Sequence, residues 1–376
     1  PELLEAEQRN ISMYRRGEFL ARMAQCFGTV VGVAGSHGKT TTTAFLAHIL
    51  KRVGWQPGYL IGGEVPAWPA PAAAGRGDVF VTEVDESDGT QALMHCTYGV
   101  VLNVEDDHCW RLGGEEDLKK CFHNFASNAQ ELVVAQEDST MRELFSDHAN
   151  AVFVSEGEYS SKVEIPVPGE HNRRNAGTAL AIAEAMGAPL DACRAALKDF
   201  PGVSRRMTVH YEDPGGHVRL VEDYAHHPTE LKAALETIRE EFPGHEMTVV
   251  FQPHRFERVR RYAAGFAEVL QEVERVVVTD PFAAWMTASE PVDVRKILPE
   301  KPKGEAFYWN KTYEELAKKL VGEVEMQESP AVIIVVGAGD IEKIIPLLRA
   351  EMVQMRLART EKEIKCRIPG APVQQD

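Results

Sequence analysis

The feature that most constrains the fold of this chain is a short apolar run that ends in a glycine-rich turn and continues into a helix. The run, TVVGVA, spans residues 29–34, and the turn and helix start read GSHGKTTTT from Gly35. Apolar residues follow at helical spacing from Leu46 to Val53, and Gly54 marks the helix end. Backbone amides of such a turn, with the positive end of the helix, form a cradle for phosphate oxygens. The pattern therefore predicts a strand, a phosphate-binding turn and a helix in direct succession.

The residues of this turn indicate a nucleotide site. Those expected at the phosphates are Gly35, Ser36, His37, Gly38, Lys39, Thr40 and Thr41. Lys39, which we expect to face solvent without a ligand, would reach the outer phosphates, and the Thr40 hydroxyl would take a Mg²⁺ coordination position. Val33 stands where the full phosphate-loop pattern has glycine, so the match is the shorter GxxGKT. A strand-to-helix turn that binds no ligand is the alternative.

An acidic segment follows the next predicted buried strand, at residues 79–84. Its acids are Glu83, Asp85, Glu86 and Asp88. Ligands of open α/β sheets bind at the carboxyl ends of the strands, and Mg²⁺ prefers hard oxygen ligands. We therefore interpret Glu83 as a metal ligand, with a solvated acidic loop as the alternative.

Two further segments carry candidate ligands. His108 follows a predicted strand at residues 100–104 and could give a nitrogen ligand to a second metal, or could be an ordinary structural histidine. The segment PGEHNRRN, residues 168–175, opens a helix predicted from Asn175 to Met186. Its asparagines could hydrogen-bond an adenine edge, but from the residues alone a helix N-cap is the better interpretation.

A second alternating series of strands and helices begins after residues 200–202, Phe-Pro-Gly, which we interpret as a hinge. Strands are predicted at residues 218–222, 247–251, 275–279 and 331–336. Helices are predicted at residues 229–242, 259–272, 313–321 and 341–355. Alternation in both halves predicts parallel sheets covered by helices, so the expected fold class is α/β.

Polar loops in this second half form another candidate site. Arg205 or Arg206, near the hinge, could bring positive charge to a transferring phosphoryl group. The loops after two predicted strands should converge at one sheet edge, and their candidate residues are Asp223, Tyr224, His226, His227, His254 and Arg255. Each residue alone could be an ordinary surface residue without a function, but two loops rich in His and Arg on one edge favour a site.

Composition excludes several functional classes. Lys+Arg 41 against Asp+Glu 57 gives a net charge of −16, which should repel nucleic acid and anionic membranes. The six cysteines contain no CxxC pair, so we expect reduced thiols in a cytoplasmic protein. We expect no membrane span, because no apolar run approaches the ~20 residues that a span needs. We expect no signal peptide, because the opening run PELLEAEQRN has no basic n-region and no apolar h-region.

The order of the motifs resembles the Mur ligases of peptidoglycan synthesis. The motifs that carry the resemblance are GSHGKTTTT, EVDESDG, NVEDDH, PGEHNRRN, GVSRR, DYAHHPTE, FQPHR and GAGD. The resemblance covers residues from about 1 to 350, and ESDG at residues 86–89 favours the alanine-adding branch of the family.

The resemblance implies an ATP-dependent, Mg²⁺-requiring ligase. In this family ATP phosphorylates a carboxylate, here that of UDP-N-acetylmuramate, and the amine of an amino acid, here L-alanine, attacks the acyl phosphate to form an amide. A sister ligase that adds a peptide or a glutamyl unit is one alternative. A non-catalytic nucleotide-binding regulator built on the same fold is the other.

The resemblance also implies roles for single residues. The implied catalytic residues are Lys39, His108 and Arg206. The implied metal ligands are Thr40 and Glu83 for Mg²⁺ and His108 for a second metal. Asn175 is implied for the adenine of ATP and Asp223 for its ribose. The implied amino-acid site consists of Tyr224, His226, His254 and Arg255.

The family has three domains, of which the first binds the UDP-sugar. Our assignment is a lead-in segment at residues 1–25, a central ATP-binding P-loop domain at 26–201, a C-terminal Rossmann-like doubly wound domain at 202–357 and a flexible tail at 358–376. No segment matches the UDP-sugar domain, and the chain does not begin with Met, so we expect a fragment. This chain should then bind ATP·Mg²⁺ but show little affinity for UDP-N-acetylmuramate.

Overall fold

The computed structural model describes residues 2–107, 112–135, 139–284 and 292–367. The chain divides into two compact units, Pro1–Ser204 and Arg205–Asp376. Each unit is built on a mainly parallel sheet with helices on its faces, so the predicted α/β class is confirmed. In the part of the chain that is described, no helix combines the length and the apolar character needed to cross a membrane.

The first unit has a sheet whose strands are β1 (Thr29–Ala34), β2 (Gly58–Leu60), β3 (Ala72–Ala73), β4 (Val79–Glu83), β5 (Cys96–Val101), β6 (Ala129–Ala135) and β7 (Ala151–Val154). Their order is β3–β2–β4–β1–β5–β6–β7, and neighbours run parallel except β2 and β3. β1 lies in the middle and its last five residues are buried, which explains why its sequence is continuously apolar. In register, Val33 lies beside Glu83 and Ala34 beside Val101. The turn after β1 therefore lies between the segments that follow β4 and β5.

The helices of the first unit form a layer on each face of the sheet. They are α1 (Glu2–Gln8), α2 (Arg16–Ala24), α3 (Lys39–Arg52), α4 (Glu115–Ser127), α5 (Ser139–Phe145), α6 (Glu156–Ser160), α7 (Glu170–Ala185) and α8 (Leu190–Leu197). α3, α7 and α8 share one apolar core with the sheet, and α2, α4 and α5 share the core on the opposite face. α3 begins at Lys39, directly after the glycine-rich turn, as the sequence predicts.

The second unit has a sheet of the same kind. Its strands are β8 (Thr208–Glu212), β9 (Val218–Asp223), β10 (Glu246–Phe251), β11 (Arg275–Thr279), β12 (Glu305–Trp309) and β13 (Ala331–Val336). Their order is β12–β11–β10–β13–β9–β8, with only β8 antiparallel to its neighbour among these strands. The helices are α9 (Pro228–Glu241), α10 (Phe256–Leu270), α11 (Tyr313–Met326) and α12 (Ile344–Arg367). α9 and α10 pack on one face, and α11 and α12 pack on the other.

Three predicted helix boundaries are wrong by five residues or more, and one of them is the end of α11, which lies at Met326 and not at residue 321. α7 begins at Glu170 rather than Asn175, and Gly169, with a φ of 98°, is its N-cap residue. α12 runs to Arg367, past the predicted end at Met355. Residues 356–367 include three Arg, two Lys and two Glu and contain no Gly or Pro, so their helix propensity favours continuation of the helix past Met355.

Candidate active site

The turn between β1 and α3 takes its shape from two glycines in the left-handed region. The φ angles of Gly35 and Gly38 are 138° and 84°. A Cβ atom on Gly38 would lie 2.6 Å from Oδ1 of Asn175, and one on Gly35 would lie 3.1 Å from Cβ of Leu102. Glycine is therefore required at both positions, by backbone conformation and by space.

The turn is tied to the segment that follows β5. The backbone N–H of His37 donates to Oδ1 of Asn103 at 2.8 Å, and Asn103 Nδ2 donates to the His37 carbonyl at 3.1 Å. The N–H of Glu105 donates to Ser36 Oγ at 2.8 Å, and the Glu105 carboxylate lies 3.3 Å from His37 Nε2. The sequence analysis selected the NVEDDH segment because of His108 and did not identify Asn103 and Glu105. His108 itself lies outside the described residues.

Lys39 lies inside the site and not at its surface, so the expectation that it faces solvent is wrong. Its Nζ donates to the Gly35 carbonyl at 2.6 Å and to the Ser36 carbonyl at 3.2 Å. It also lies 2.9 Å from Oε2 of Glu86. The Lys39 side chain is only 17% exposed and that of Glu86 is 0% exposed. Side chains in the first turn of a helix point back toward its N-terminus, which places the ammonium over the turn.

The charge state of this pair follows from its surroundings. Burial alone would lower the pKa of Lys39, but the carboxylates of Glu86, Asp85 and Glu83 raise it above its usual value. Burial, assisted by Asp85 and opposed by Lys39, raises the pKa of Glu86 to about 7. Lys39 is therefore a permanent cation, whereas Glu86 accepts a proton more readily than an ordinary carboxylate.

The two residues predicted to bind Mg²⁺ are brought together. Thr40 Oγ1 donates to Oε2 of Glu83 at 2.8 Å. A Cβ on Gly62 would lie 1.9 Å from Oε1 of Glu83, so the carboxylate is held against the backbone of a neighbouring segment. A hydroxyl and a carboxylate are hard oxygen donors of the type that divalent cations prefer.

The rest of the acidic segment is paired with a residue that sequence reasoning missed. Arg16, the first residue of α2, lies 3.1 Å from Oδ2 of Asp85 and 2.9 Å from Oδ2 of Asp88. Gly17 allows the close approach, since a Cβ there would lie 2.2 Å from Oγ1 of Thr90. Because Glu86 is buried and Asp85 and Asp88 have a common partner, the segment differs from a freely solvated acidic loop.

Asn175 lies beside the phosphate turn and does not cap a helix. It belongs to α7, which begins five residues earlier, so the N-cap interpretation is wrong. Asn172 has a role nearer the helix start, donating from Nδ2 to the Pro168 carbonyl at 2.6 Å. The contact of Asn175 with Gly38 places a polar amide at the start of α3. Thr41, also predicted to be near the phosphates, is buried.

In the second unit the two candidate arginines have different surroundings. Arg205 donates from Nε to Glu222 at 2.8 Å and from Nη2 to the carbonyls of Gly337 and Gly339 at 2.8 and 3.1 Å. Its guanidinium thereby joins β9 to the loop after β13. Both guanidinium groups lie over the ring of Tyr224, that of Arg205 at 4.9 Å and that of Arg206 at 5.0 Å from its centroid.

Asp223 ends β9 and is almost fully buried. Its Oδ2 accepts from the N–H of Met207 at 3.0 Å and its Oδ1 from that of Ala225 at 2.8 Å. Burial raises the pKa of Asp223 to about 6, against the opposing effects of Arg206 and these two amides. The carboxyl thus shapes the loop that carries the next candidate residues.

Tyr224, His226 and His254 form an aromatic cluster, as their motifs predict. The His226 ring lies edge-on to Tyr224, with centroids 5.5 Å apart, and edge-on to His254 at 5.8 Å. His226 Nδ1 lies 3.1 Å from the Glu230 carboxylate. His227, in contrast, is buried with its ring edge against Tyr262.

Arg255 follows His254 and has an unusual backbone. Its φ is 70°, a region that non-glycine residues rarely adopt, and its N–H donates to the Phe282 carbonyl at 2.9 Å. Its side chain is largely buried. A non-glycine residue held in this conformation is typical of functional sites.

Gln252 is a further residue that the sequence reasoning missed. Its Nε2 donates to Tyr313 at 3.1 Å and to Asp340 at 3.0 Å, and its Oε1 accepts from the N–H of Ile341 at 3.1 Å. It therefore joins the FQPHR and GAGD motifs at the sheet edge. The sequence carried a signal for this contact, because the FQPHR and GAGD motifs each follow a predicted strand.

Two family models match this chain. The model described as the Mur ligase middle domain matches residues 33–160. The model described as Mur ligase, glutamate ligase domain, matches residues 205–339.

Similar proteins include ligases of bacterial origin. The chain is 31% identical over 382 aligned residues to UDP-N-acetylmuramate--L-alanine ligase of Coxiella burnetii, covering 93% of this chain and 82% of the relative. It matches the crystal structure of UDP-N-acetylmuramate-alanine ligase MurC from Thermotoga maritima with a TM-score of 0.73 and 26% identity, covering 96% of this chain and 83% of that one. It shares its fold with the MurF ligase of Thermotoga maritima in complex with ADP, at a TM-score of 0.68 and 20% identity, covering 90% and 84%.

Proposed function

Since this chain belongs to the Mur ligase family, we propose that it joins the carboxylate of UDP-N-acetylmuramate to L-alanine in an ATP-dependent, ADP-forming reaction of peptidoglycan precursor synthesis. The relatives named for this reaction align with nearly the whole chain. The observation that carries the proposal is the arrangement of Lys39, Thr40 and Glu83 around the start of α3. A buried cation and two oxygen donors at a helix N-terminus are what a nucleoside triphosphate requires.

The reaction proceeds in two steps. A carboxylate oxygen of UDP-N-acetylmuramate attacks the γ-phosphorus of ATP, the bond to the β-phosphate oxygen breaks, and ADP leaves behind an acyl phosphate. The amine of L-alanine then attacks the acyl carbon and loses a proton, and the tetrahedral intermediate expels phosphate to leave the amide.

The first unit would hold ATP. The glycine turn and the N-terminus of α3 bind phosphate oxygens, and the Lys39 ammonium offsets the charge that develops during phosphoryl transfer. Asn175, beside Gly38, would accept a hydrogen bond from the adenine amine.

A divalent cation fits the oxygen donors of Thr40 and Glu83, which lie 2.8 Å apart. When bound, Mg²⁺ supplies Lewis-acid polarisation of phosphate oxygens. Glu83→Ala should raise the Mg²⁺ concentration for half-maximal rate about tenfold. Asp88→Asn is the matched control and should leave it unchanged, because Asp88 pairs with Arg16. An unchanged Mg²⁺ titration for Glu83→Ala would place the metal elsewhere.

The second unit would bind the amino acid and support transfer. Arg206 is the proposed source of positive charge for the phosphoryl group, since Arg205 is committed to loop contacts. Asp223, whose oxygens each accept one backbone amide, keeps lone pairs for ribose hydroxyls. Tyr224, His226 and His254 would line the amino-acid site, and Arg255 would hold the substrate carboxylate in a bidentate pair.

We also propose a cytoplasmic location and small-molecule ligands. Cys26, Cys96, Cys121 and Cys193 are free thiols. The net charge of −16 disfavours nucleic acid as a partner.

The test is an assay for ADP and phosphate with ATP, Mg²⁺, UDP-N-acetylmuramate and L-alanine. Because little affinity for UDP-N-acetylmuramate is expected, the UDP-sugar is supplied at high concentration. We then expect release only when the carboxylate and the amine are both present, with a mass spectrum that shows the amide product. Release with a different amine would identify a sister ligase. Tight ATP binding without turnover on any substrate pair would contradict the proposal and favour a nucleotide-binding regulator.

A further inference from the structure

Glu86 is a buried carboxylate that the proposed reaction does not use. Its side chain is 0% exposed, although it comes from a polar segment at a sheet edge. Burial of an ionised carboxylate costs several kcal/mol unless a partner compensates it. Its place in the site therefore requires a partner of opposite charge.

That partner is Lys39. The Lys39 ammonium lies 3.1 Å from Oε1 and 2.9 Å from Oε2 of Glu86. It also donates to the carbonyls of Gly35 and Ser36. An ammonium has three N–H groups, and these three acceptor residues match them. The ammonium is thus fixed over the turn before any phosphate arrives.

The neighbouring acids have other partners. Glu83 accepts from Thr40, and Asp85 and Asp88 pair with Arg16. The Asp85 and Asp88 side chains are 34% and 33% exposed, whereas Glu86 is fully covered. Within this segment, Glu86 is therefore distinguished by both its burial and its contact with Lys39.

We propose that Glu86 is a positioning residue for Lys39, holding the ammonium at the phosphate turn so that its charge is in place when phosphoryl transfer begins. This inference rests on the proposed function. A charge fixed in advance stabilises a transition state without reorganisation, whereas the four-carbon stem of a free lysine adopts many rotamers. The Glu86 charge itself repels triphosphate, so its loss should slow transfer without weakening ATP binding.

The first measurement is steady-state kinetics of Glu86→Gln, which keeps the size and a hydrogen-bond acceptor but removes the charge. We expect kcat to fall about tenfold while the KM for ATP rises less than threefold. Asp88→Asn removes a charge from the same segment and should leave both constants unchanged. A merely structural role would raise the KM for ATP together with the fall in kcat, and that result would overturn the proposal.

The second measurement is a double-mutant cycle of Glu86→Gln with Lys39→Ala. If Glu86 acts through Lys39, the double variant should be no slower than Lys39→Ala alone. Independent, multiplied losses would overturn the proposal. If the wild type is active and the losses of the two variants multiply, only this inference is wrong. If the wild type forms no amide, the proposed function is wrong as well.

A second pair of variants applies if Glu86→Gln does not fold. Lys39→Met removes the cation alone, and Lys39→Met/Glu86→Leu removes both members of the pair. Replacement of both members of a buried ion pair is often tolerated. Equal single-turnover rates support the proposal. A further loss of rate in the double variant overturns it.

Discussion

The phosphate turn of the first unit and the histidine–arginine loops of the second unit use buried acids in opposite ways. In the first, Glu86 is paired with the candidate functional cation, Lys39. In the second, Glu222 is occupied by Arg205 and His210, and Asp223 accepts backbone amides. Acids therefore arrange the functional side chain directly in one unit and the loop backbone in the other.

This difference indicates how each region tolerates the loss of a charge. A buried ion pair leaves an uncompensated charge when one member is removed, whereas exposed pairs contribute little. The expected effects therefore decrease from the buried pair of the turn, through the loops of the second unit, to the half-exposed pair at Arg16.

Lys39→Ala should have the largest effect. We expect kcat/KM to fall at least about a hundredfold, or ~2.7 kcal/mol, because a positioned cation is lost. The free energy of unfolding should fall too, since Glu86 stays buried without its partner. Assays of ADP release and denaturant unfolding measure the two effects. Turnover like that of the wild type would show that the turn is not the phosphate site.

Asp223→Asn should alter the pH dependence of stability. Burial raises the pKa of Asp223 to about 6 from 3.8, so the folded chain binds this proton more tightly than the unfolded chain does. The protonated carboxyl thus stabilises the folded chain. This stabilisation is complete below pH 3.8 and is lost as the pH rises through about 6, and it amounts to at most about 3 kcal/mol.

Urea unfolding of the wild type and of Asp223→Asn at several pH values between about 4 and 7 measures this effect. The wild type should lose stability relative to the variant as the pH rises. A difference that stays constant across the range would show that Asp223 does not carry this proton in the folded state.

Arg255→Ala should change amino-acid binding selectively. Loss of a charged hydrogen-bonded pair, worth ~2 kcal/mol, should raise the KM for the amino acid roughly thirtyfold and that for ATP less than threefold. Arg260→Ala is the control, because Arg260 lies on α10, which directly follows Arg255, and pairs with Glu257. Equal increases in both KM values would indicate that Arg255 serves the phosphates.

Arg16→Ala should have the smallest effect. Arg16 is 61% exposed, so the loss of its pairs with Asp85 and Asp88 should lower the free energy of unfolding by less than about 1 kcal/mol. We expect kcat within twofold of the wild type. A tenfold fall in kcat would reveal that α2 helps to hold the acidic segment in its active form.

Sequence reasoning succeeded where the signal is local. Lys39, Thr40 and the glycines of the turn follow one strand and begin one helix, so their proximity needs no knowledge of other segments. It failed for Asn175, which the sequence analysis interpreted as a helix cap, whereas the helix begins five residues earlier, at Glu170. It also left Arg205 and Arg206 open, because they are distinguished by contacts of Arg205 with distant residues, namely Glu222 and the carbonyls of Gly337 and Gly339.

Periodicity and glycine geometry are encoded within a few residues, so local patterns were sufficient to predict the phosphate turn, the main alternating strands and helices, and the polar motifs at strand ends. Strands such as β2, β8 and β12 were not predicted. Which charges meet depends on how distant segments pack. Lys39 and Glu86 are 47 positions apart, and Arg16 and Asp85 are 69 apart. Their pairing depends on β4 lying beside β1 with Val33 opposite Glu83. Strand order and register arise from packing of the whole sheet, and no local spacing encodes them.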